Sequence, residues 1–123
     1  HVTGAPDVEN AIIIAKSVIR SPLVKCAMYG ADANCGRIMC AMGYADTETD
    51  VTKADVYYIS RAGKILVCEN GLGLQFDEDL ALAILKEEDI TIFVDLHMGS
   101  AEAKAWGCDL TYDYVKINGD YRS

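Results

Sequence analysis

The sequence is poor in basic residues, and this deficit narrows the classes of function that it can serve. Its 123 residues include 11 lysines and arginines against 19 aspartates and glutamates, which leaves a formal net charge of −8. An acidic surface repels phosphate backbones and anionic lipid headgroups. We therefore expect no nucleic-acid partner and no membrane partner.

Long apolar runs and targeting signals are also missing. No apolar run in the sequence approaches the roughly 20 residues that a helix needs to span a bilayer. The residues after His1 do not form the basic region and apolar region of a signal peptide. These absences predict a cytoplasmic protein.

The cysteines lack the spacing of a metal site. The chain has five of them, which are scattered without a Cys-x-x-Cys pair, and His97 is the only histidine besides His1. Structural zinc sites usually need closely spaced pairs of soft ligands. We expect no metal site and no disulfide framework, so the cysteines should be reduced and packed as small hydrophobic residues.

Hydrophobic residues are abundant enough for a core. They make up 51% of the chain and charged residues 24%, a balance typical of a globular protein. At this length a chain buries one core without cross-links. We predict a single domain over residues 1–123.

Helical periodicity is clearest near the start of the chain. Apolar residues repeat at helical spacing from Pro6 to Arg20, and Ser21-Pro22 is interpreted as the stop signal. The predicted inward face consists of Val8, Ala11, Ile12, Ala15 and Ile19. Two further helices are predicted from Gly36 to Met42, with Asn34 as the N-cap, and from about Asp77 to Lys86.

Strand-like patterns fill much of the remainder. Alternation of apolar and other residues from Ile90 to Met98 is the clearest of them. Predicted β-segments are Leu23–Tyr29, Val56–Ser60, Lys64–Glu69, Ile90–Met98, its antiparallel partner Ala101–Ala105, and Tyr112–Ile117 as an extension of the sheet. Together these elements predict an α+β fold: an antiparallel or mixed sheet with helices packed on one face, similar to an α/β roll.

Three short patterns could carry chemistry, and each has a structural alternative. Asp95 and His97 fall on the same side of one strand and could form an acid–base pair, although a solvated polar face is the favoured interpretation. The segment from Gly30 to Arg37 leads into a helix and could hold an anion or simply cap that helix. Gly71-Leu72-Gly73 lacks the third glycine of a dinucleotide loop and is interpreted as a turn.

The C-terminal segment is unusually rich in aromatic residues for a chain end. It contains Trp106, Tyr112, Tyr114 and Tyr121 beside polar groups. Aromatic side chains next to polar groups often line an interface or pocket. The alternative is a terminal strand that docks on the core.

Two stretches carry a resemblance to a known family. The first is Ser21-Pro22-Leu23-Val24-Lys25 followed by Gly30-x-Asp32-x-Asn34-x-Gly36-Arg37-Ile38, and the second runs from Ala105-Trp106-Gly107-Cys108-Asp109 to Asp120-Tyr121-Arg122-Ser123. Both resemble the ornithine acetyltransferase family, also called the bifunctional glutamate N-acetyltransferase or ArgJ family. With Phe76-Asp77-Glu78 between them, the similarity extends over essentially the whole chain.

The resemblance implies a role in arginine biosynthesis. Members of the family transfer an acetyl group from N-acetylornithine to glutamate, and some also use acetyl-CoA as a co-substrate. No other cofactor is implied. The precursor cuts itself before a threonine, which becomes the nucleophile of the β chain. The α and β chains pair into a heterotetramer of two of each.

By the same resemblance, residues 1–123 correspond to the C-terminal domain of the β chain. The nucleophilic threonine and the catalytic domain lie upstream, so no catalytic residue is expected here and this piece alone should be inactive. Asn118 and Ser123 match the family's substrate contacts. Two positions depart from the family pattern: Cys35 stands where tryptophan is common, and Ala33 where proline is common.

Composition alone leaves other functions open. A stand-alone α+β ligand-binding or regulatory module fits the same length and architecture, and so does a structural assembly domain. A longer parent protein that cleaves itself before a threonine would favour the acetyltransferase.

Overall fold

The computed structural model describes residues 1–122. Its fold is built on one mixed sheet of six strands. Its strands are β1 (Val2–Ala5), β2 (Asp55–Ser60), β3 (Gly63–Glu69), β4 (Leu72–Gly73), β5 (Thr91–Asp95) and β6 (Ala101–Ala103). They lie in the order β4-β3-β2-β5-β1-β6. The β1–β5 pair is parallel and the other pairs are antiparallel.

The first four helices contribute to the core on one face of this sheet, whereas the fifth buries no residue. They are α1 (Val8–Arg20), α2 (Pro22–Tyr29), α3 (Cys35–Gly43), α4 (Glu78–Leu85) and α5 (Tyr112–Asp120). Helix α1 packs on β1 and β6, whereas α4 packs on β2 and β3. Among the helices in residues 1–122, none is long and apolar enough to cross a membrane.

The core lies between that sheet face and the helices. Val2, Val94 and Val56 are neighbours across three strands and are all buried. They belong to the same hydrophobic cluster as Ile14 of α1 and Ile84 of α4. The α+β prediction, with a mixed sheet and helices on one face, is therefore confirmed.

The buried face of α1 differs from the predicted one. Ala11 and Ala15 are buried as expected, but Val8 is 55% exposed and Ile12 is 39% exposed. The other buried positions are Ile14 and Val18. Because Ile12, Ile13 and Ile14 are consecutive, more than one apolar stripe fits the helical period, and only the packing against the sheet selects between them.

Residues 23–29, predicted as a strand, are helical. The Ser21 hydroxyl accepts a hydrogen bond from the backbone N–H of Val24 at 3.3 Å and so caps α2. Pro22 occupies the first turn, where its missing N–H costs nothing. Ser21-Pro22 ends α1 and also begins the next helix, which the interpretation as a simple stop signal missed.

Residues 112–117, predicted to extend the sheet, are also helical. The Thr111 hydroxyl accepts a hydrogen bond from the N–H of Tyr114 at 2.8 Å, which caps α5. None of the residues of α5 is buried. The alternating tyrosines mimic a strand, but the cap fixes the first turn of a helix.

Two strands were absent from the prediction. Strand β1 inserts between β5 and β6, so the predicted direct pairing of the 101–105 segment with the 90–98 strand is wrong. Residues Leu72 and Gly73, predicted as part of a turn, form the short edge strand β4. The predicted hairpin, α3 with its Asn34 cap, and α4 are confirmed.

Gly71 offers a test of the backbone geometry beside β4. Its φ is +79°, and a Cβ there would lie 1.8 Å from the carbonyl oxygen of Thr52. Gly71→Ala should therefore destabilise the fold by more than about 2 kcal/mol in urea unfolding, because left-handed strain and a backbone clash add.

The matched control is Gly43→Ala at the end of α3. No atom lies within 4 Å of a Cβ at Gly43, so this variant should be neutral or slightly more stable than wild type. Equal urea midpoints for the two variants would contradict the expectation.

Candidate functional site

Residues 106–122, here called the terminal arm, leave the sheet after β6 and cross the ends of α1 and α2. Gly107 lies against Ile19, since a Cβ on this glycine would approach the Ile19 Cβ to 3.2 Å. The backbone N–H of Leu110 donates to the Lys25 carbonyl at 3.2 Å. The Lys25 ammonium in turn donates to the carbonyl of Cys108. These contacts anchor the base of the arm.

Beyond this base the terminal arm is exposed. Within the part of the chain that the structure describes, Trp106 is 82% exposed, Tyr112 83% and Tyr121 77%. Tyr112 makes an edge-to-face contact with Tyr29, with ring centroids 5.3 Å apart. Large apolar side chains on a helix with no buried residue form a surface suited to docking.

Asn118, the predicted substrate contact, lies on α5 in this exposed arm. Its side-chain N–H donates to the Tyr114 carbonyl one helical turn earlier, at 2.9 Å. Ser123, the other predicted contact, lies outside the described residues. Asn118 is exposed on this helix, but its role in substrate binding stays a prediction.

A cleft of about 1050 Å³ opens where β1 and β5 begin. Its walls come from α1, α2, the segment between α4 and β5, and the base of the terminal arm, including Lys25, Trp106 and Cys108. Asn118 does not line it. The cleft and the predicted substrate contact are therefore separate features of this chain.

The segment from Gly30 to Arg37 has the geometry of a capped helix start. The side-chain oxygen of Asn34 accepts a hydrogen bond from the backbone N–H of Arg37 at 3.1 Å. The Arg37 guanidinium donates to the Leu23 carbonyl at 3.0 Å. Since these polar groups serve the junction between α2 and α3, the structural interpretation of this segment fits better than an anion site.

Asp95 and His97 do meet, and a second carboxylate joins them. The backbone N–H of His97 donates to Asp95 at 3.0 Å, and its Nε2 lies 2.8 Å from Oδ2 of Asp55. The hydrogen bond with Asp55 is the main reason that the pKa of His97 is raised above its ordinary value of 6.5. The charges of Asp95 and Asp55 act in the same direction, whereas desolvation opposes them.

Sequence reasoning missed Asp55 in this group. Asp55 and His97 are 42 positions apart in the sequence. Only the register of β2 against β5, which places Asp55 beside Asp95, brings them together. His97 has a φ of 56°, so the chain has left the strand and turned the ring back over the carboxylates. The arrangement ties the ends of two strands together, in agreement with the favoured interpretation as a polar surface.

The raised pKa of His97 links stability to pH. The pKa of His97 is higher in the folded state than in the unfolded state. The stability that protonated His97 contributes is therefore complete below pH 6.5 and is lost as pH rises through the folded-state pKa. His97→Asn removes the imidazole and tolerates a left-handed backbone. Wild type should therefore lose stability relative to this variant as pH rises, measured by urea unfolding. A constant difference from about pH 5 to about pH 8 would argue against the linkage.

Comparison with known proteins identifies the relatives of this chain. The ArgJ family model matches residues 1–123. The chain is 50% identical over 123 residues to the arginine biosynthesis bifunctional protein ArgJ of Caldanaerobacter subterraneus subsp. tengcongensis, covering 100% of this chain and 30% of that protein. It is 52% identical over 122 residues to the arginine biosynthesis bifunctional protein ArgJ 1 of Clostridium acetobutylicum, covering 99% of this chain and 30% of that one.

A solved structure agrees with these relatives. The crystal structure of the arginine biosynthesis bifunctional protein ArgJ from Bacillus halodurans matches with a TM-score of 0.88 at 46% identity, covering 98% of this chain and 55% of that chain. The chain thus spans about 30% of the length of its curated relatives. With a family match along its whole length, this chain belongs to the ArgJ family.

Proposed function

We propose that this chain is the C-terminal lobe of an autoprocessed acetyltransferase of arginine biosynthesis. Its relatives are named arginine biosynthesis bifunctional proteins and are about three times as long, since the chain covers 30% of each. In this proposal the lobe supplies substrate contacts to a catalytic domain that lies upstream. The isolated lobe has no nucleophile for the reaction and is inactive.

The proposed reaction is acetyl transfer through a covalent intermediate. A threonine exposed by self-cleavage attacks the acetyl carbonyl of N-acetylornithine, and the amine of ornithine leaves. The amine of glutamate then attacks the acetyl-threonine, which yields N-acetylglutamate and frees the threonine. Acetyl-CoA could replace N-acetylornithine as the acetyl donor in the first step.

The observation that carries the proposal is the exposed terminal arm. Helix α5 is a capped and regular helix, yet it buries no residue of its own. A structured arm with exposed aromatic side chains is typical of a surface that another segment covers. The upstream part of the polypeptide, and its partner chain in a heterotetramer, are the proposed cover.

The chemistry of the two matched positions suits an amino-acid substrate. An asparagine amide both donates and accepts hydrogen bonds, so Asn118 can hold a ligand with amine and carboxylate groups. Its Nδ2 already donates to Tyr114, which fixes the amide plane and leaves Oδ1 as the acceptor for a ligand ammonium. Ser123 would add a hydroxyl, which can accept a hydrogen bond from the same ammonium.

A chimera tests these contacts in an active context. Residues 1–123 would replace the matching part of the Caldanaerobacter relative, and Asn118→Ala or deletion of Ser123 would be introduced. Losing a hydrogen bond to a charged group costs about 1.5–3 kcal/mol, so kcat/KM for N-acetylornithine should fall roughly 10-fold to 100-fold.

Lys116→Ala is the matched control for the chimera. Lys116 is exposed on the same helix, two positions before Asn118 and so on the opposite side. This variant should retain wild-type kinetics, and complete self-cleavage into two chains would report correct folding of every variant. Unchanged kcat/KM after both Asn118→Ala and Ser123 deletion would end the proposed role of this lobe.

The cleft at the start of β1 and β5 favours a second candidate, a stand-alone ligand-binding module. Its volume of about 1050 Å³ would accommodate an amino acid without any other domain.

Calorimetry of the isolated chain with ornithine and with glutamate separates the two functions. The lobe proposal predicts weak or absent binding because half of its site is missing. Submicromolar affinity would contradict it and favour the binding module.

A further inference from the structure

The walls of the cleft at the start of β1 and β5 are the two segments that flank β1 in the sheet. One wall is residues 88–92, which lead into β5, and the other is residues 104–106, which follow β6. His1 and Val2 also line the cleft. Since β1 lies between β5 and β6, the cleft continues the line of β1 on the side of His1. We call this part of the cleft the strand slot.

Backbone groups of the β5 wall point into the strand slot. The N–H of His1 donates to the Ile92 carbonyl at 2.8 Å, and the N–H of Val94 donates to the His1 carbonyl at 2.9 Å. In a parallel pair this pattern repeats at every second residue. The Ile92 N–H and the Ile90 carbonyl therefore face the slot, where a strand residue two positions before His1 would bond both of them.

The wall that follows β6 offers a matching ladder on the other side. Val2 pairs with Ala103 in the antiparallel direction. Continuing this register places Ala105 opposite the position directly before His1. A backbone in the strand slot thus finds hydrogen-bonding partners on both sides, as a central strand does. This arrangement specifies an extended peptide rather than a compact small molecule.

The lining of the strand slot is apolar where the helices pass beneath it. Side chains of three helices and of both walls contribute, namely Val18, Met28, Leu85, Ile90, Ile92 and Ala105. Ile90, Ile92 and Ala105 are only half-buried against the core. A strand that covers them removes further apolar surface from water, which favours its binding.

Strand alternation decides which side chains of the occupant face this apolar lining. Val2 is buried on the helix side of the sheet. The His1 ring lies on the opposite side, where it meets Phe93 edge-to-face with centroids 5.2 Å apart. Positions one and three before His1 have the orientation of Val2. The strand slot therefore selects a segment with apolar residues at alternating positions.

We propose that the strand slot accepts the segment that directly precedes His1 in the longer parent protein, and that the isolated chain binds this segment in trans as a peptide. The inference rests on the proposed function, in which upstream polypeptide is joined to this chain. Because the His1 N–H is bonded to β5, a segment joined to it enters the slot parallel to β5. A free peptide would also place its terminal carboxylate beside the His1 ammonium.

Fluorescence titration of the isolated chain with a synthetic peptide tests the proposal. The peptide has the sequence of about six residues that directly precede the matched part of the Caldanaerobacter relative. Trp106 is the only tryptophan, lines the cleft and is 82% exposed. Binding should shift its emission to shorter wavelength. Hydrogen exchange of the Ile92 N–H should slow at least about ten-fold at saturation.

Two variant peptides leave the protein unchanged and isolate the backbone contact. Proline at the next-to-last position removes the N–H that should bond to the Ile90 carbonyl, so affinity should fall about ten-fold or more. Alanine at the same position is the matched control, because it keeps this N–H and its side chain faces away from the apolar lining. The alanine peptide should bind like the original.

Three results would overturn the strand slot. They are unchanged Trp106 emission and Ile92 exchange at about 1 mM peptide, binding without protection of the Ile92 N–H, and equal affinity of the proline and alanine peptides. None of them would decide the proposed function, because the chimera tests Asn118, which does not line the cleft. A peptide that fails to bind while Asn118→Ala still lowers kcat/KM would remove this inference alone.

Discussion

The insertion of β1 between β5 and β6 is the constraint on which the rest of the structure depends. On one side, backbone N–H groups of Val94, Leu96 and Met98 donate to this segment at 2.9, 3.0 and 2.7 Å. On the other side β6 pairs with it in the antiparallel direction. Without this first strand, β6 would have no neighbour in the sheet, and the terminal arm that follows β6 would have no fixed origin.

The close fit of β1 also explains a glycine within it. Gly4 has a φ of +67°, and a Cβ there would lie 2.4 Å from the Asp95 side-chain oxygen. The absence of a side chain lets this carboxylate sit against the strand and still accept a hydrogen bond from the His97 N–H. Gly4 thus allows β1 to pack closely against the hydrogen-bonded Asp95 and His97 at the end of β5.

Local signals predicted the elements that local interactions determine. The hairpin of β2 and β3 and the Asn34 cap of α3 depend on residues close in sequence, so their patterns are sufficient. Strand β1 is too short to produce a periodic signal. Ser21-Pro22 and Thr111 each specify a helix start through one side chain, and the apolar or alternating residues that follow imitate strands.

The part of the candidate site that lies on one continuous segment could be predicted from the sequence, whereas contacts between distant segments could not. The family motif along residues 105–123 lies on one continuous segment, so resemblance was enough to single out Asn118. The contact between His97 and Asp55, by contrast, depends on the register of β2 against β5. Such pairings have no signature in the spacing of residues, because tertiary packing alone creates them.

The exposed aromatic side chains of the terminal arm have a further consequence for the behaviour of the isolated chain. The net charge of −8 keeps separate copies apart by mutual repulsion, while the uncovered rings of Trp106, Tyr112 and Tyr121 favour association. Salt weakens the first effect and leaves the second intact. Raising the ionic strength should therefore favour association between copies of this chain.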